Sequence, residues 1–204
     1  MKLRIIFALT LALAAVPAMA QTLYSNGAIN GTTDGWTINF GFVASDTFTL
    51  GQASTVTGLN FGAWVFPGDT LQTAEVSITS SEFGGTTYTD QVVSFSQQGC
   101  VGNQYGYNVC TELSTNFTAT GLAAGSYWLN LQNAVTAAGN PIYWDENSGP
   151  SSASENSVGT VPSEAFTLLG STTTTTQSTP EPSSIMLFGS GILGLAGVLR
   201  RKLF

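Results

Sequence analysis

Between residues 21 and 180 this chain contains no lysine, no arginine and no histidine. Its five cations, Lys2, Arg4, Arg200, Arg201 and Lys202, all lie near the two ends. Nucleic-acid binding needs cationic side chains to neutralise phosphates, so the central segment is excluded from it. Arg clamps on carboxylates or phosphates, Lys Schiff bases, His-dependent triads and His-ligated metals are excluded for the same reason. All of the 12 acidic residues except Glu181 fall in that cation-free stretch. No side-chain salt bridge can form there, and stability must come from apolar burial, hydrogen bonds and a disulfide. A surface of one sign keeps the molecule soluble and repels anionic polymers.

Cysteine is scarce too. Cys100 and Cys110 are the only two, in GCVGNQYGYNVC. They read as a structural disulfide, which implies an oxidising compartment and contributes up to roughly 3 kcal/mol for so short a loop. Two thiolates with no other soft ligand do not make a metal site.

Long apolar runs occur only at the ends. Lys2 and Arg4 precede the apolar stretch Ile5 to Val16, and Ala18-Met19-Ala20 supplies a small-x-small site. Residues 1–20 therefore read as a signal peptide with an apolar helix, cut by signal peptidase between Ala20 and Gln21. The stretch is too short for a lone membrane anchor. At the other end, no charge interrupts the run from Ile185 to Leu199. Counted back to Ser183 it predicts a single transmembrane helix over 183–199, just long enough to span with its cations in the headgroups. Arg200, Arg201 and Lys202 stay cytoplasmic by the positive-inside rule, which puts the C-terminus in and the bulk of the chain out.

The same tail carries a Pro-Glu-Pro box (Thr-Pro180-Glu181-Pro182-Ser183-Ser184), the apolar segment IMLFGSGILGLAGVL and the basic end RRKLF. In that order these parts resemble the PEP-CTERM sorting signal of Gram-negative bacteria; the trailing Leu203-Phe204 is the one departure. The resemblance implies recognition of the box by the membrane transpeptidase exosortase, removal of the helix, and export to the cell surface or the exopolysaccharide matrix. The membrane is then only a transient anchor.

The remainder divides into a domain over 21–169, a Thr/Ser-rich linker over 170–179 (GSTTTTTQST) and the sorting signal over 180–204. Period-two alternation dominates the domain: Trp36, Ile38, Phe40 and Phe42; Leu59, Phe61, Ala63 and Val65; Val76 and Ile78; Tyr127, Leu129 and Leu131; Phe166 and Leu168. Gly, Asn, Asp and Pro punctuate these runs. The pattern predicts an all-β fold of about eight strands, an antiparallel β-sandwich of jelly-roll type.

Two candidate sites follow. Trp128 lies opposite in parity to Tyr127, Leu129 and Leu131, beside Asn130 and Gln132, and Trp64 likewise opposes Ala63 and Val65. With Trp144 they form a candidate glycan-binding set, since apolar sugar faces stack on aromatic rings while hydroxyls seek amides; burial under a loop is the plainer alternative. Asp145, Glu146 and Asn147 offer hard oxygen donors in an expected loop and are a weak calcium candidate, because their spacing is not that of an EF-hand and a solvated turn after a strand is the plainer reading. No other cofactor is called for. Carboxylate pairs such as Asp145 with Glu146 or Glu75 with Glu82 are weighed as glycosidase residues, but no separation between acids is fixed by sequence. The resulting expectation is a non-catalytic surface or matrix protein that binds exopolysaccharide weakly. The alternatives are a structural or adhesive matrix component without a defined ligand and a carboxylate-dependent glycan-acting enzyme.

Overall fold

Alternation at period two places successive side chains on opposite faces, so a segment with one apolar face forms a strand with one face buried. The computed structural model describes residues 20–173, and among these every regular element is a strand. The rest of the expected signal peptide, the box Pro180-Glu181-Pro182, the helix over 183–199 and the cluster Arg200, Arg201 and Lys202 lie outside the described residues.

Fifteen strands form two antiparallel sheets: β1 (Gln21–Ser25), β2 (Gly35–Thr37), β3 (Val43–Leu50), β4 (Ser54–Val65), β5 (Leu71–Ser81), β6 (Gly84–Ser94), β7 (Ser96–Gly102), β8 (Asn108–Ser114), β9 (Ala119–Leu122), β10 (Gly125–Thr136), β11 (Tyr143–Asn147), β12 (Ala153–Glu155), β13 (Gly159–Val161), β14 (Ser163–Glu164) and β15 (Phe166–Thr172). The nine-stranded sheet follows the order β1-β15-β4-β11-β14, with β2 on β11, β8 and β9 on β4, and β7 on β8. The six-stranded sheet runs β13-β12-β3-β10-β5-β6. Long β4 organises the first sheet. One of its sides takes β15 from Ser54 to Phe61 and then β11 at Ala63 and Trp64, while the other takes β9 and β8.

The sheets pack face to face over one core. Leu59, Phe61, Ala63, Val65, Phe166 and Leu168 line the inner face of the first sheet; Ala44, Phe48, Val76, Ile78, Leu129 and Leu131 line that of the second. Aromatic rings close the gap between them, with Phe48 6.4 Å from Phe166 and 6.0 Å from Tyr24. Such pairs stabilise by about 0.5–1.5 kcal/mol beyond their buried area.

Three expectations about the domain need correction. The run Trp36 to Phe42 is not one strand. Ile38 is buried and bonded to Ile142 and Ala134, but the chain then turns, with Phe42 N–H donating to the Asn39 carbonyl. Phe40 has φ 57° and is 65 % exposed, so a turn at Asn39-Phe40-Gly41 overrides the alternation. The expected linker starts too early, because Gly170, Ser171 and Thr172 continue β15 against Val56, Thr55 and Ser54. A Cβ at Gly170 would collide with the Thr55 carbonyl, so glycine permits this close approach. The segment Tyr143–Asn147, expected as a loop, is strand β11.

The disulfide is present. Cys100 and Cys110 face each other across the β7–β8 ladder and are bonded, with Cα atoms 4.1 Å apart.

Candidate functional site

Of the three tryptophans expected as a sugar-stacking set, the structure leaves one on the surface. Trp64 does point away from the core, but the β7–β8 connection folds over it: Tyr105 stacks on its ring at 5.4 Å and Tyr107 lies at 5.9 Å. Only 4 % of Trp64 is exposed, and its indole N–H donates to Asp145 Oδ1 at 2.6 Å. Trp144 has the opposite parity and is a core residue, packed on Phe61 and Phe166 with its N–H donating to the Ala165 carbonyl. Trp128 alone remains partly exposed.

Asp145, Glu146 and Asn147 are likewise not arranged as a cation loop. They are buried in β11, and alternation turns Asp145 one way and Glu146 the other. Asp145 accepts from the Trp64 indole and from the backbone N–H groups of Asn30 and Gly31 at 2.8 and 2.9 Å. Burial pushes its carboxyl above the usual range although these three donors pull it down. Glu146 accepts the Trp36 indole N–H at 2.8 Å. The Asn147 amide donates to the Asn26 and Ala28 carbonyls. These residues pin the 26–31 segment to the sheet. Among the described residues no group of three or more His, Cys, Asp or Glu side chains converges on a metal position.

The outer face of the six-stranded sheet carries an organised polar row, most of it covered. Register places Thr160, Ser154, Ser45, Asn130, Ser77 and Asp90 opposite one another in a single row across the whole sheet. Thr47, Trp128, Thr79 and Thr87 form the neighbouring row. Asn130 ties the first row together: its Oδ1 accepts from Ser45 Oγ at 2.6 Å, and its Nδ2 donates to Ser77 Oγ at 3.1 Å and Thr79 Oγ1 at 2.9 Å. The β5–β6 turn arches over this row. Phe83 N–H donates to Asn130 Oδ1 at 3.2 Å, and Ser154 Oγ donates to Glu82 Oε2 at 2.5 Å. Beneath the turn is a cavity of about 150 Å³, lined by hydroxyls, the Asn130 and Gln132 amides and Asp90. Burial, and then the charge of nearby Glu75, raises the Asp90 carboxyl above its usual value. Glu75 also receives the amides of Gln132 and Asn133 at 2.7 and 2.8 Å. Of the paired glycosidase candidates, Glu82 lies on the β5–β6 turn and Glu75 within β5.

A second, larger groove of about 850 Å³ runs between the 29–32 segment and the disulfide-bonded β7–β8 hairpin. Its walls are backbone, Ile29, Val101, Val109, Thr111 and the side chains of Asn103 and Gln104, with no charged group.

The sequence pointed to Trp128, Asn130 and Gln132 through parity alone. Ser45, Ser77, Thr79, Asp90 and Ser154 were not singled out, because nothing local states which strands lie side by side.

Residues 178–202 match the PEP-CTERM protein-sorting motif. That motif marks the chain as an exported protein, sorted through a membrane-anchored stage and processed by exosortase. No curated protein matches the chain.

Proposed function

We propose that this chain is a non-catalytic protein of the cell surface or exopolysaccharide matrix, carried there by its sorting signal, whose six-stranded sheet holds glycan weakly on its outer face. The observation that carries the reading is Trp128, partly exposed in register with accessible Thr47 and near Thr87 and Gln132, with Asp90 farther along the same face. One apolar ring beside accessible hydroxyls, an amide and a carboxylate suits a sugar, whose ring face is apolar and whose rim is hydroxylated. The domain behind that face is best described as a jelly roll, since non-consecutive strands interleave in both sheets, as in β3-β10-β5 and β1-β15-β4. A non-catalytic role is supported by the placement of the acids. Asp46, Glu112, Asp145 and Glu164 are fully enclosed, and of the accessible acids on the outer face Glu75 is engaged by the amides of Gln132 and Asn133 and Glu82 by the Ser154 hydroxyl.

The test is retention of the purified protein on immobilised exopolysaccharide and on a glycan array. Trp128→Ala is expected to lower retention at least about tenfold, a loss of roughly 1.4 kcal/mol. Its melting temperature should stay near that of the parent chain. Unchanged retention overturns the glycan reading and leaves a structural or adhesive role without a ligand.

A further inference from the structure

Between the sheets, away from Trp128, two buried acids on strands of opposite sheets have no side-chain cation to offset their charge. Asp46 of β3 faces inward, since its ladder partners Leu129 and Ala153 are core residues. Glu164 of β14 faces inward from the other sheet, two residues before core Phe166 and directly opposite Glu146. Both Asp46 and Glu164 are 0 % exposed. Asp46 Oδ2 accepts the Glu164 backbone N–H at 2.7 Å and an Asn26 amide proton at 2.8 Å. Asp46 Oδ1 and both carboxylate oxygens of Glu164 have no hydrogen-bond partner among the described residues.

The neighbourhood holds more oxygen than hydrogen. Asn26 Nδ2 carries two protons, yet four oxygens surround it: Asp46 Oδ2 at 2.8 Å, Ser163 Oγ at 2.7 Å, the Glu164 carbonyl at 2.7 Å and Ser151 Oγ at 2.6 Å. Ser151 and Ser163 hydroxyls are 2.8 Å apart. With no Lys, Arg or His between residues 21 and 180, no side chain of the domain can supply the missing positive charge. A buried, unpaired carboxylate is costly unless it is neutralised or coordinates a cation.

Carboxylate and hydroxyl oxygens in an irregular array, without nitrogen or sulfur donors, fit a hard cation. Calcium takes 6–8 such oxygens in flexible geometry, whereas magnesium demands an octahedron and retains its waters. We propose that the cluster between β3 and β14 is a calcium site, with the carboxylates of Asp46 and Glu164 as charged ligands and the Ser151 hydroxyl as a neutral one. Two carboxylates with neutral oxygens need no third acid, in keeping with the absence of a three-acid cluster among the described residues. Partly exposed Ser151, on the loop after β11, gives the ion a way in. Glu146, held by Trp36, adds negative charge from across the ladder without being a ligand. The trio Asp145-Glu146-Asn147 is a different set of residues, and this site is independent of the glycan face.

Thermal unfolding of the purified full chain at pH 8, in EDTA and in excess calcium or magnesium, tests the proposal together with calorimetric titration of calcium. Calcium should bind one ion per chain and raise the melting temperature by about 5–10 °C when present at roughly a hundredfold its dissociation constant. Magnesium should do little. Glu164→Gln and Asp46→Asn, which keep the shape and remove charge, should each abolish the calcium response while melting in EDTA no lower than the parent chain. Glu112→Gln, a buried acid elsewhere, should keep the response. No shift with calcium, or a shift that survives in both ligand variants, overturns the assignment.

Discussion

Acidification should stabilise this protein, contrary to the usual behaviour of carboxylate-rich folds. Burial lifts the Asp46 carboxyl from 3.8 to about 6, although the Ser151 hydroxyl, the Glu164 and Thr47 backbone and the Asn26 amide partly oppose it. Burial lifts Glu112 from 4.5 to about 7, opposed only by Gln97. Glu164 is raised well above its usual value by burial first and then by the charges of Asp46, Glu146, Asp145 and Asp34. A folded-state value above the unfolded one means stability that is fully present below about pH 4 and lost as pH rises through the folded value. At roughly 1.4 kcal/mol per pH unit, Asp46 and Glu112 each account for on the order of 3 kcal/mol. Either one is a large fraction of a typical stability of about 5–15 kcal/mol. Asp69 works in the opposite direction: burial raises it, but the N–H groups of Ala138 and Thr70 and the side chains of Thr136 and Asn140 leave it lowered overall, so its contribution is lost only in stronger acid. The assay is unfolding followed by tryptophan fluorescence between pH 4.5 and 7.5, in EDTA so that no divalent ion compensates. The melting temperature should fall by at least about 6 °C across that window, at 2–4 °C per kcal/mol. Glu112→Gln should remove the part of the fall near pH 7. A flat profile, or stability rising toward pH 7.5, would refute the reasoning.

Two further outcomes rest on the geometry and a third on the matched motif. Asp145→Ala strands the Trp64 indole and two backbone donors in a buried place, and should cost about 3 kcal/mol in denaturant unfolding. Replacing Cys100 and Cys110 together by Ser should lower stability by up to about 3 kcal/mol in the same assay, without altering export. Changing Pro180, Glu181 and Pro182 together to Ala should leave the chain in the membrane fraction at its unprocessed mass, read by mass spectrometry of fractionated cells, because the box lies within the matched motif.

The fold class was legible because period-two alternation survives tertiary packing: Leu59, Phe61, Ala63 and Val65 all lie where parity puts them. Alternation failed at Phe40, where Gly41 follows and the turn takes φ 57°, a conformation that a pattern of apolar letters does not encode. The expected loop Tyr143–Asn147 misled for a related reason. Asp, Glu and Asn usually mark solvent, yet here each side chain finds a donor or carbonyl contributed from far along the chain, such as Asn30, Trp36 or Asn26. The outer-face row was illegible because Ser45, Asn130 and Ser77 belong to strands that are neighbours in space and remote in sequence. Trp64 shows the limit of parity: it correctly points outward, but the hairpin that covers it is a tertiary fact.

The confinement of every cation to the two ends has consequences at both scales of the molecule. For sorting, positive charge within about 15–20 residues of a membrane segment fixes which side its flank keeps, so the cation-free residues just after the leader and just before the tail offer nothing to compete with Lys2, Arg4 and the Arg200-Arg201-Lys202 cluster. For the fold, the same absence leaves Asp46, Glu112 and Glu164 without ionic partners, and neutralisation must come from solution as protons or as a metal ion. The cation-free composition thus ties the stability of the domain to the pH of its surroundings, through Asp46 and Glu112. Introducing Lys at Gln97, whose amide approaches Glu112 at 3.5 Å, would uncouple the two effects. It should stabilise the domain above pH 7, while export falls only if cation-free cargo matters for translocation.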